Sequence, residues 1–389
     1  MDIQGKLAAH LQGIPRSGIR DFFELVIGRD DVISLGVGEP DFATPWAIRE
    51  AAIYSLEKGE TSYTSNLGLL ELRKRIAAYV ADFFKLSYDP ANEVLVTIGV
   101  SEALDLALRA LLNPGDEVIY HEPCYVSYSP SIIMAHGVAV PVATTREDGF
   151  SLRPEALAAA ITDRTKIVML NFPTNPTGAM ASKADLEGIA RLCVEHDLIV
   201  LSDEIYSELC YDDEHLSIAT LPGMRERTIL MHGFSKAFAM TGFRLGYACA
   251  PAPLIEAMMK IHQYGILCAP ITSQAAAMEA LSGGASLYEP MKKEYRRRRD
   301  YLVGRLNAMG IDCHCPGGAF YVFPDIRKFG LSSKEFAMGL LEAEKVAAVP
   351  GDAFGSSGEG FLRCCYATGM DDLETAMDAM ERYLATLTS

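Results

Sequence analysis

The chain has 389 residues, 49% of them hydrophobic, and a formal net charge of −16. A chain of this length and composition can bury a sizeable core, which predicts a globular protein. The negative charge argues against a general nucleic-acid or anionic-membrane partner, because either would repel it at long range. There is no continuous apolar segment near the N-terminus and no apolar stretch of about 18 residues, so we predict neither an export signal nor a membrane span.

Nine cysteines are spread along the chain, without paired zinc-type spacing and without a secretory context. They are expected to be reduced thiols in a cytoplasmic protein. The tripeptide "CHC", Cys313 to Cys315, places two possible ligands two residues apart in a strand-like segment. No second cluster accompanies it, so we predict core or edge-strand residues there and no metal site.

Short apolar runs bounded by turn residues alternate with helix-like segments through most of the chain. The runs are, in order, "EVLVTIG", "DEVIYHEP", "TKIVMLNFP", "LIVLSDE", "TILMHGFSK" and "RLGYACAP". Such unalternating runs, rich in Val, Ile and Leu, are typical of strands covered on both faces in a predominantly parallel sheet. The segments "SEALDLALRALL" and "KADLEGIARLCVEH" repeat apolar residues at helical spacing. The pattern predicts an α/β architecture.

From about Pro290 the pattern changes to a long charged helix, then two short strands, "AFYVFPDI" and "GFLRCCYAT", separated by another helix. This predicts a smaller α+β domain. The N-terminal forty residues offer little sheet of their own, so they are expected to pack against this C-terminal part or against a neighbouring subunit. We therefore assign 46–289 to a large domain, and 1–45 with 290–389 to a small domain with an N-terminal arm. The run "RRRR", Arg296 to Arg299, is flanked by acidic residues and is expected to form a solvated helix face.

Polar residues follow several of the apolar runs, at the position where open α/β sheets build ligand sites. After "EVLVTIG", Gly99 allows close approach and Ser101 is suited to an N-cap. A helix that starts here could bind a phosphate through its free backbone N–H groups, although plain capping would explain the same residues.

Two further segments place polar side chains at strand ends. "NFPTNPTG", residues 171–178, forms a rigid loop that can hold Asn175 in one orientation, and "SDEIYSEL" places Asp203 and Tyr206 three residues apart. Turn formation and helix capping would each explain one of these segments alone.

The segment "GFSKAFAMTGFRLGY", residues 233–247, isolates Lys236 and Arg244 among small, hydroxyl and apolar side chains. A cation in apolar surroundings is costly unless something binds it, and the alternative is that both side chains snorkel to water. Taken together, the motifs require a cationic partner for Asp203, a phosphate for Ser101 and Arg244, and a covalent partner for Lys236. Pyridoxal phosphate supplies all three.

Over nearly its whole length the sequence resembles the class I and II aminotransferases, of the aspartate aminotransferase fold type I. The segments that carry the resemblance are "SLGVGEPDFATP", "TSYTSNLGLLELRKRIA", "NFPTNPTG", "SDEIYSEL", "GFSKAFAMTGFRLGY" and "FLRCCYAT". It implies a pyridoxal-phosphate-dependent aminotransferase whose large domain has a mainly parallel seven-stranded sheet. In "HQYGILCA" and "SELCYDDEHLSIAT" the chain is similar to bacterial N-acetyl-diaminopimelate and aromatic amino acid aminotransferases.

The resemblance implies a role for each residue of the catalytic centre. Lys236 would be the Schiff-base lysine and the general acid and base, and Asp203 would be the partner of the pyridine nitrogen. Tyr206 and Asn175 would hydrogen-bond the phenolic oxygen of the ring, and Tyr125 would stack on the ring.

The resemblance also implies which residues hold the phosphate of the cofactor and the α-carboxylate of the substrate. The phosphate would be held by the backbone of Val100, Ser101 and Glu102, and by the side chains of Ser235 and Arg244. Tyr63 would reach the phosphate across the interface of a homodimer with shared sites. Arg363 and Asn175, with the backbone at Gly38, would hold the substrate α-carboxylate.

The identity of the substrate is less closely defined by the sequence. Some aspartate-specific bacterial relatives have a lysine at the position of Ser101 that pairs with the distal carboxylate. We therefore predict a ping-pong transfer from an aromatic, bulky or N-acyl-diaminopimelate donor to 2-oxoglutarate. Tyr264, Ile266 and Leu267 are candidate pocket-wall residues, although Tyr264 could equally be a structural interface residue.

Three alternatives remain open from the sequence: an aspartate aminotransferase, a C–S lyase on the same fold, and a non-enzymatic pyridoxal phosphate sensor. A lyase would need no keto-acid acceptor. The sensor is disfavoured, because such regulators carry an N-terminal DNA-binding domain, for which we find neither room nor a basic patch.

Overall fold

The computed structural model describes residues 3–14, 18, 28, 29 and 31–387. Its first strand, β1 (Ile33–Ser34), lies outside the central sheet. The strands of the central sheet are β2 (Val94–Thr97), β3 (Glu117–Glu122), β4 (Val138–Ala143), β5 (Thr165–Asn171), β6 (Ile199–Asp203), β7 (Thr228–Gly233) and β8 (Gly246–Cys249). Their order is β2-β8-β7-β6-β5-β3-β4, and only β8 runs antiparallel to its neighbours. The expected seven-stranded, mainly parallel sheet is confirmed.

Helices cover both faces of this sheet. In the first three quarters of the chain they are α1 (Ala9–Gln12), α2 (Trp46–Glu57), α3 (Leu70–Phe83), α4 (Gly99–Leu111), α5 (Tyr128–Met134), α6 (Pro154–Ala160), α7 (Lys183–Glu195), α8 (Ala252–Gly265) and α9 (Ile271–Gly283). Val118 and Ile119, neighbours in β3, belong to two different core clusters, one beneath α4 and α8 and one beneath α6 and α7. Both faces of the strand are therefore buried, which explains why the run is apolar without alternation.

The remaining elements form a second, smaller assembly. They are α10 (Ala285–Ala308), β9 (Tyr321–Val322), α11 (Ser333–Glu344), β10 (Val346–Ala347), β11 (Val349–Pro350), β12 (Leu362–Cys365) and α12 (Met370–Leu387). Strands β11, β12 and β9 make an antiparallel sheet, and β1 pairs in parallel with β10. The residues of β1 thus pack against the C-terminal part, as expected. The domain boundaries at 45/46 and 289/290 stay a prediction, and α10 runs continuously across the second one.

The four consecutive arginines of α10 do not form a uniformly solvated face. Arg298 and Arg299 are buried, and only the first two arginines of the run are exposed. Arg298 donates to both carboxylate oxygens of Asp41 at 2.9 Å, and Arg299 donates to the carbonyl of Pro316 at 3.0 Å and pairs with Asp212. The prediction of a solvated face was wrong for these two residues, because acidic and carbonyl partners distant in sequence satisfy their charge.

The "CHC" segment lies in a loop, with Cys313 buried and Cys315 exposed, so the strand-like interpretation was wrong. Within the part of the chain that the structure describes, no group of three or more His, Cys, Asp or Glu side chains could hold a metal ion. In the same residues, no helix is both long enough and apolar enough to cross a membrane.

Candidate active site

A cavity of about 350 Å³ opens where parallel strands of the central sheet end. Strands β5 and β6 are neighbours and end at Asn171 and Asp203, and β7 leads directly into the loop that carries Lys236. Because the carboxyl ends of parallel strands meet at one edge, these side chains converge. The sequence-predicted residues that line the cavity are Gly38, Val100, Ser101, Tyr125, Asn175, Asp203, Tyr206, Ser235, Lys236, Arg244 and Arg363.

Lys236 lies in the cavity wall without a carboxylate partner among the described residues. Its Nζ donates to the carbonyl of Gly38 at 2.7 Å and lies 5.8 Å from the ring centre of Tyr206 and 5.6 Å from that of Phe320. Burial lowers the pKa of this lysine to about 8. The amine therefore loses its proton far more readily than an ordinary lysine, as a nucleophile or a proton carrier must.

Asp203 is a buried carboxylate held in one orientation by two donors. The hydroxyl of Tyr128 donates to Oδ2 at 2.8 Å and the backbone N–H of Ile205 donates to Oδ1 at 3.3 Å. Burial raises the pKa of Asp203 to about 6 despite these donors. The structure gives this carboxylate no arginine or lysine partner among the described residues, so it is suited to a cationic ligand.

Asn171 and Tyr128 belong to the site but were not identified from the sequence. Asn171 Nδ2 donates to the carbonyl of Asp203 at 2.9 Å, and its Oδ1 accepts the N–H of Asn175 at 3.1 Å. The loop that presents Asn175 is thus tied to the strand end that presents Asp203. Asn171 opens the quoted "NFPTNPTG" motif, whereas the approach of Tyr128 depends on the tertiary packing of α5.

Tyr206 is paired with Tyr321, a third residue that sequence reasoning missed. The two hydroxyl oxygens are 2.9 Å apart, and burial raises the pKa of both phenols well above the usual value. Both phenols therefore stay protonated as hydrogen-bond donors. Gly38 faces this pair closely, since a Cβ at position 38 would lie 2.5 Å from the Tyr321 hydroxyl. Only glycine leaves its backbone this close to the pair.

The start of α4 and Arg244 form an anion-binding corner. Gly99, with φ of 70°, begins the helix, and a Cβ there would lie 2.7 Å from Nη2 of Arg244. The guanidinium group therefore lies against the first turn, where backbone N–H groups lack intrahelical partners. Ser101 is not the N-cap, because the helix begins two residues earlier and Ile98 occupies the cap position. That part of the sequence interpretation was wrong.

Arg363 is buried on β12 with its donors only partly used. Its Nη1 donates to Asn175 Oδ1 at 3.0 Å and its Nη2 donates to the carbonyl of Gly36, while Nε has no partner among the described residues. The guanidinium carbon lies 4.7 Å from the ring centre of Tyr321 and 4.8 Å from that of Phe354. A buried, unpartnered N–H is costly, and a carboxylate is the ligand that a planar guanidinium fork binds best.

Some predicted residues do not reach the cavity of this subunit. Tyr63 and Tyr264 are 83% and 89% exposed, and neither lines the cavity. Ile266 and Leu267 lie on the surface turn after α8, where the carbonyl of Leu267 accepts Asn66 Nδ2 at 2.7 Å. The pocket-wall interpretation of Tyr264, Ile266 and Leu267 was therefore wrong for the subunit's own cavity. All three residues lie at or just after the end of α8, which is at the surface of the subunit.

Glu102 is the remaining predicted residue that does not line the cavity. Its carboxylate faces away, accepting the N–H of Ile98 at 2.5 Å and contacting His262 at 2.7 Å. As the fourth residue of α4, its own N–H is expected to bond to the carbonyl of Ile98 in the regular helix ladder. Its predicted backbone contact with a phosphate stays a prediction.

The donor and acceptor set of the cavity fits pyridoxal phosphate. Arg244 with the start of α4 suits the phosphate, the buried carboxylate of Asp203 suits a protonated ring nitrogen, and Lys236 suits a carbonyl carbon. The unpartnered Nε of Arg363 suits the carboxylate of an amino acid. Together with the seven-stranded sheet, this set defines the class of fold type I enzymes that depend on pyridoxal phosphate.

Comparison of the sequence and the structure with known proteins identifies the family of this chain. The family described as aminotransferase class I and II matches residues 30–380. YugH of Bacillus subtilis (strain 168), a protein named as an aminotransferase without a substrate, is 54% identical over 378 residues, 97% of this chain and 98% of the relative. An aspartate aminotransferase of Pyrococcus abyssi is 48% identical over 371 residues, 95% of each chain. The solved structure of an aromatic aminotransferase from Pyrococcus horikoshii has 48% identity and a TM-score of 0.90, covering 95% of this chain and 99% of that one.

The chain therefore belongs to the class I and II aminotransferases. It is a pyridoxal-phosphate-dependent enzyme that acts on amino acids and oxo acids.

Proposed function

We propose that the enzyme transfers the amino group of an aromatic, bulky or N-acyl-diaminopimelate donor to 2-oxoglutarate by a ping-pong reaction. The observation that carries this proposal is the set of cationic side chains that line the cavity. The cavity-lining cations are Lys236, Arg244 and Arg363, and each has a role in the proposed chemistry. At position 101 the lining residue is a neutral serine, and Glu39 adds a negative charge to the same wall.

A donor with a distal carboxylate, such as aspartate, therefore finds no free cation among the described residues of the cavity. Leaving a charged group without its partner costs about 1 to 3 kcal/mol, or roughly five- to 150-fold in kcat/KM. 2-Oxoglutarate carries a distal carboxylate as well. A comparison of donors at one fixed acceptor concentration removes that contribution.

The residues of the cavity have separate mechanistic roles. Bound pyridoxal phosphate supplies an electrophilic carbon and a ring that accepts electrons. Arg363 and Asn175 orient the α-carboxylate of the substrate through parallel hydrogen bonds. Lys236, with its pKa lowered to about 8, would take the proton from the substrate α-carbon as a general base and deliver it as a general acid to the carbon that the cofactor supplies.

The negative charge of Asp203, held by Tyr128 and Ile205, favours the protonated form of the ring nitrogen. Tyr206 stays protonated because of its raised pKa, so it serves as a hydrogen-bond donor to the phenolic oxygen. These assignments explain why the cavity brings together a carboxylate, a phenol and a lysine that do not pair with one another.

We also propose a homodimer in which the two subunits share their active sites. The 83% exposure of Tyr63 supports it, because this residue does not line the cavity of its own chain. Tyr264 and Ile266, at 89% and 46% exposed, add large apolar area to the same region. Such exposed aromatic surface is typical of a subunit interface, and isologous dimers are the commonest oligomers.

The substrate proposal is tested by kcat/KM for phenylalanine, tyrosine, N-acetyl-diaminopimelate and aspartate at one concentration of 2-oxoglutarate. We expect aspartate to be the poorest donor by about tenfold or more. An advantage of tenfold or more for aspartate would overturn the substrate assignment and leave the aminotransferase assignment unchanged.

A matched pair of variants tests the physical reason for the preference. Ser101→Lys introduces a cation and is expected to raise kcat/KM for aspartate by about tenfold. Ser101→Gln, neutral and of similar reach, is expected to leave the ratio of aspartate to phenylalanine unchanged. Equal ratios in both variants would show that the missing cation does not set the preference.

A further inference from the structure

We propose that Glu102 and His262 form a positioning pair that holds the first turn of α4 in place for binding the cofactor phosphate. One carboxylate oxygen of Glu102 lies 2.7 Å from Nδ1 of His262, and the other accepts the N–H of Ile98 at 2.5 Å. His262 is fully buried on α8. A single carboxylate thus joins the residue before α4, the body of α4 and the neighbouring helix α8.

The orientation of this carboxylate matters because a negative charge near a phosphate is repulsive unless it is turned away or neutralised. Glu102 is absent from the cavity wall, although Val100 and Ser101, immediately before it, are present. By accepting from Ile98, Glu102 satisfies one of the four N–H groups that the helix start leaves without a partner. The N–H groups of Gly99, Val100 and Ser101 remain for an anion.

The first turn of α4 is tightly packed, so any shift of this turn would change its contacts. A Cβ on Gly99 would lie 2.7 Å from Nη2 of Arg244, and a Cβ on Gly246 would lie 2.8 Å from the backbone of both Gly99 and Val100. The start of α4 is therefore confined between Arg244 and strand β8. A shift of this turn would change the distance between the backbone donors and the guanidinium group that together bind the phosphate.

His262 links the same turn to the surface of the subunit. Its backbone carbonyl accepts the N–H groups of Ile266 at 2.8 Å and Leu267 at 3.1 Å, which ends α8. Replacing the His262 side chain removes the contact with Glu102 and leaves these backbone bonds in place. A His262 variant therefore separates the effect on the phosphate turn from the effect on the end of α8.

The chain offers a control in a second histidine–glutamate pair. Nε2 of His215 contacts a carboxylate oxygen of Glu204, and both side chains are buried. Glu204 also accepts from Ser202 at 2.8 Å and Ser217 at 2.6 Å. Among the residues that the structure describes, no hydrogen bond joins this second pair to α4, so its loss tests the general cost of breaking a buried pair.

The experiment compares two probes that differ only in the phosphate. Dissociation constants of the cofactor-free protein are measured for pyridoxal 5′-phosphate and for pyridoxal. The ratio of the constant for pyridoxal to that for pyridoxal 5′-phosphate reports the contribution of the phosphate. We expect Glu102→Ala and His262→Ala to lower this ratio by about tenfold, as when a residue that orients a binding group is lost. Glu102→Gln keeps an acceptor for the Ile98 N–H and is expected to restore most of the ratio. His215→Ala is expected to leave it unchanged, whatever its effect on the melting temperature.

The outcomes distinguish positioning from plain stability. Equal weakening of both probes in the Glu102 and His262 variants, or an unchanged ratio, would overturn the proposal. If Glu102→Ala does not fold, as judged by circular dichroism, His262→Ala and His262→Gln decide instead, because both retain the bond between Glu102 and Ile98. Competition by inorganic phosphate provides a second measure, and its inhibition constant is expected to rise in the variants that lower the ratio.

Discussion

Replacing Asp203 with asparagine should make the cofactor-free protein more stable at neutral pH, although it removes an essential charge. Burial raises the pKa of this carboxyl from 3.8 to about 6. The folded protein therefore holds the proton more tightly than the unfolded chain does. The stabilisation that comes from the protonated form is fully present below pH 3.8 and is lost as the pH rises through about 6.

The size of the effect follows from the shift. A difference of about 2.2 pH units, from 3.8 to about 6, corresponds to about 3 kcal/mol of free energy of unfolding at pH 7. Asparagine avoids this penalty, but its side chain has one acceptor where Asp203 uses two, for Tyr128 and for Ile205. Losing one hydrogen bond costs about 1 kcal/mol. The expected net gain is about 2 kcal/mol at pH 7, falling to zero or below at pH 4.

The assay is urea unfolding of the cofactor-free wild type and variant between pH 4 and pH 8. Glu208→Gln is the matched control, because Glu208 is also a buried carboxyl but its pKa is lowered. Burial alone would raise that pKa, but the charge of the neighbouring His232 and the hydrogen bonds from His232 and Tyr79 together outweigh burial. Its stabilisation is therefore present above the unfolded pKa and is lost as the pH falls, so this control should lose stability at pH 7. A pH-independent difference for Asp203→Asn, or a less stable variant at pH 8, would refute the reasoning.

Three further outcomes test other parts of the site. Lys236→Ala should abolish transamination and leave the fold intact. Borohydride reduction of the wild type, followed by peptide mapping, should find the pyridoxyl adduct on Lys236. An adduct on another lysine would refute the assignment. Gly99→Ala should cost about 1 to 2 kcal/mol of stability and weaken phosphate binding, because its Cβ would meet Arg244. Gly59→Ala, with positive φ but open space around it, separates strain from that clash in the same unfolding and binding assays. Mixing Lys236→Ala and Tyr63→Phe subunits should restore activity through heterodimers with one intact site, whereas a fully active monomer in light scattering would exclude shared sites.

The parallel sheet could be predicted from the sequence because its central strands are buried on both faces and therefore read as unbroken apolar runs. Strand β4 was missed for the opposite reason. It lies at the edge of the sheet, and Pro141 interrupts its pattern. Five of its six residues are exposed or only partly buried, and the sixth, Val142, is buried. An edge strand carries a weaker signal, since only part of it contacts the core.

The site residues could be predicted where one segment carries both the side chain and its local geometry. Lys236, Asp203 and Asn175 each lie at or shortly after the end of an apolar run. The prediction of the strand therefore also predicts that the residue lies at the edge of the sheet. Tyr128 and Tyr321 could not be found in this way. Their contacts with Asp203 and Tyr206 join residues 75 and 115 positions apart, and no local spacing reports such a contact.

The pKa shifts of the cavity imply that the protein holds its active site at a cost to its own stability. Burial lowers the pKa of Lys236 and raises that of Asp203, so each charged form is less favourable in the folded protein than in water. Arg363 adds a buried Nε that has no partner in the part of the chain that the structure describes. These three costs are borne by groups that the proposed ligands would satisfy. Cofactor and substrate binding should therefore stabilise the folded state through the same contacts that orient the reaction, and stabilising substitutions at these positions should reduce activity.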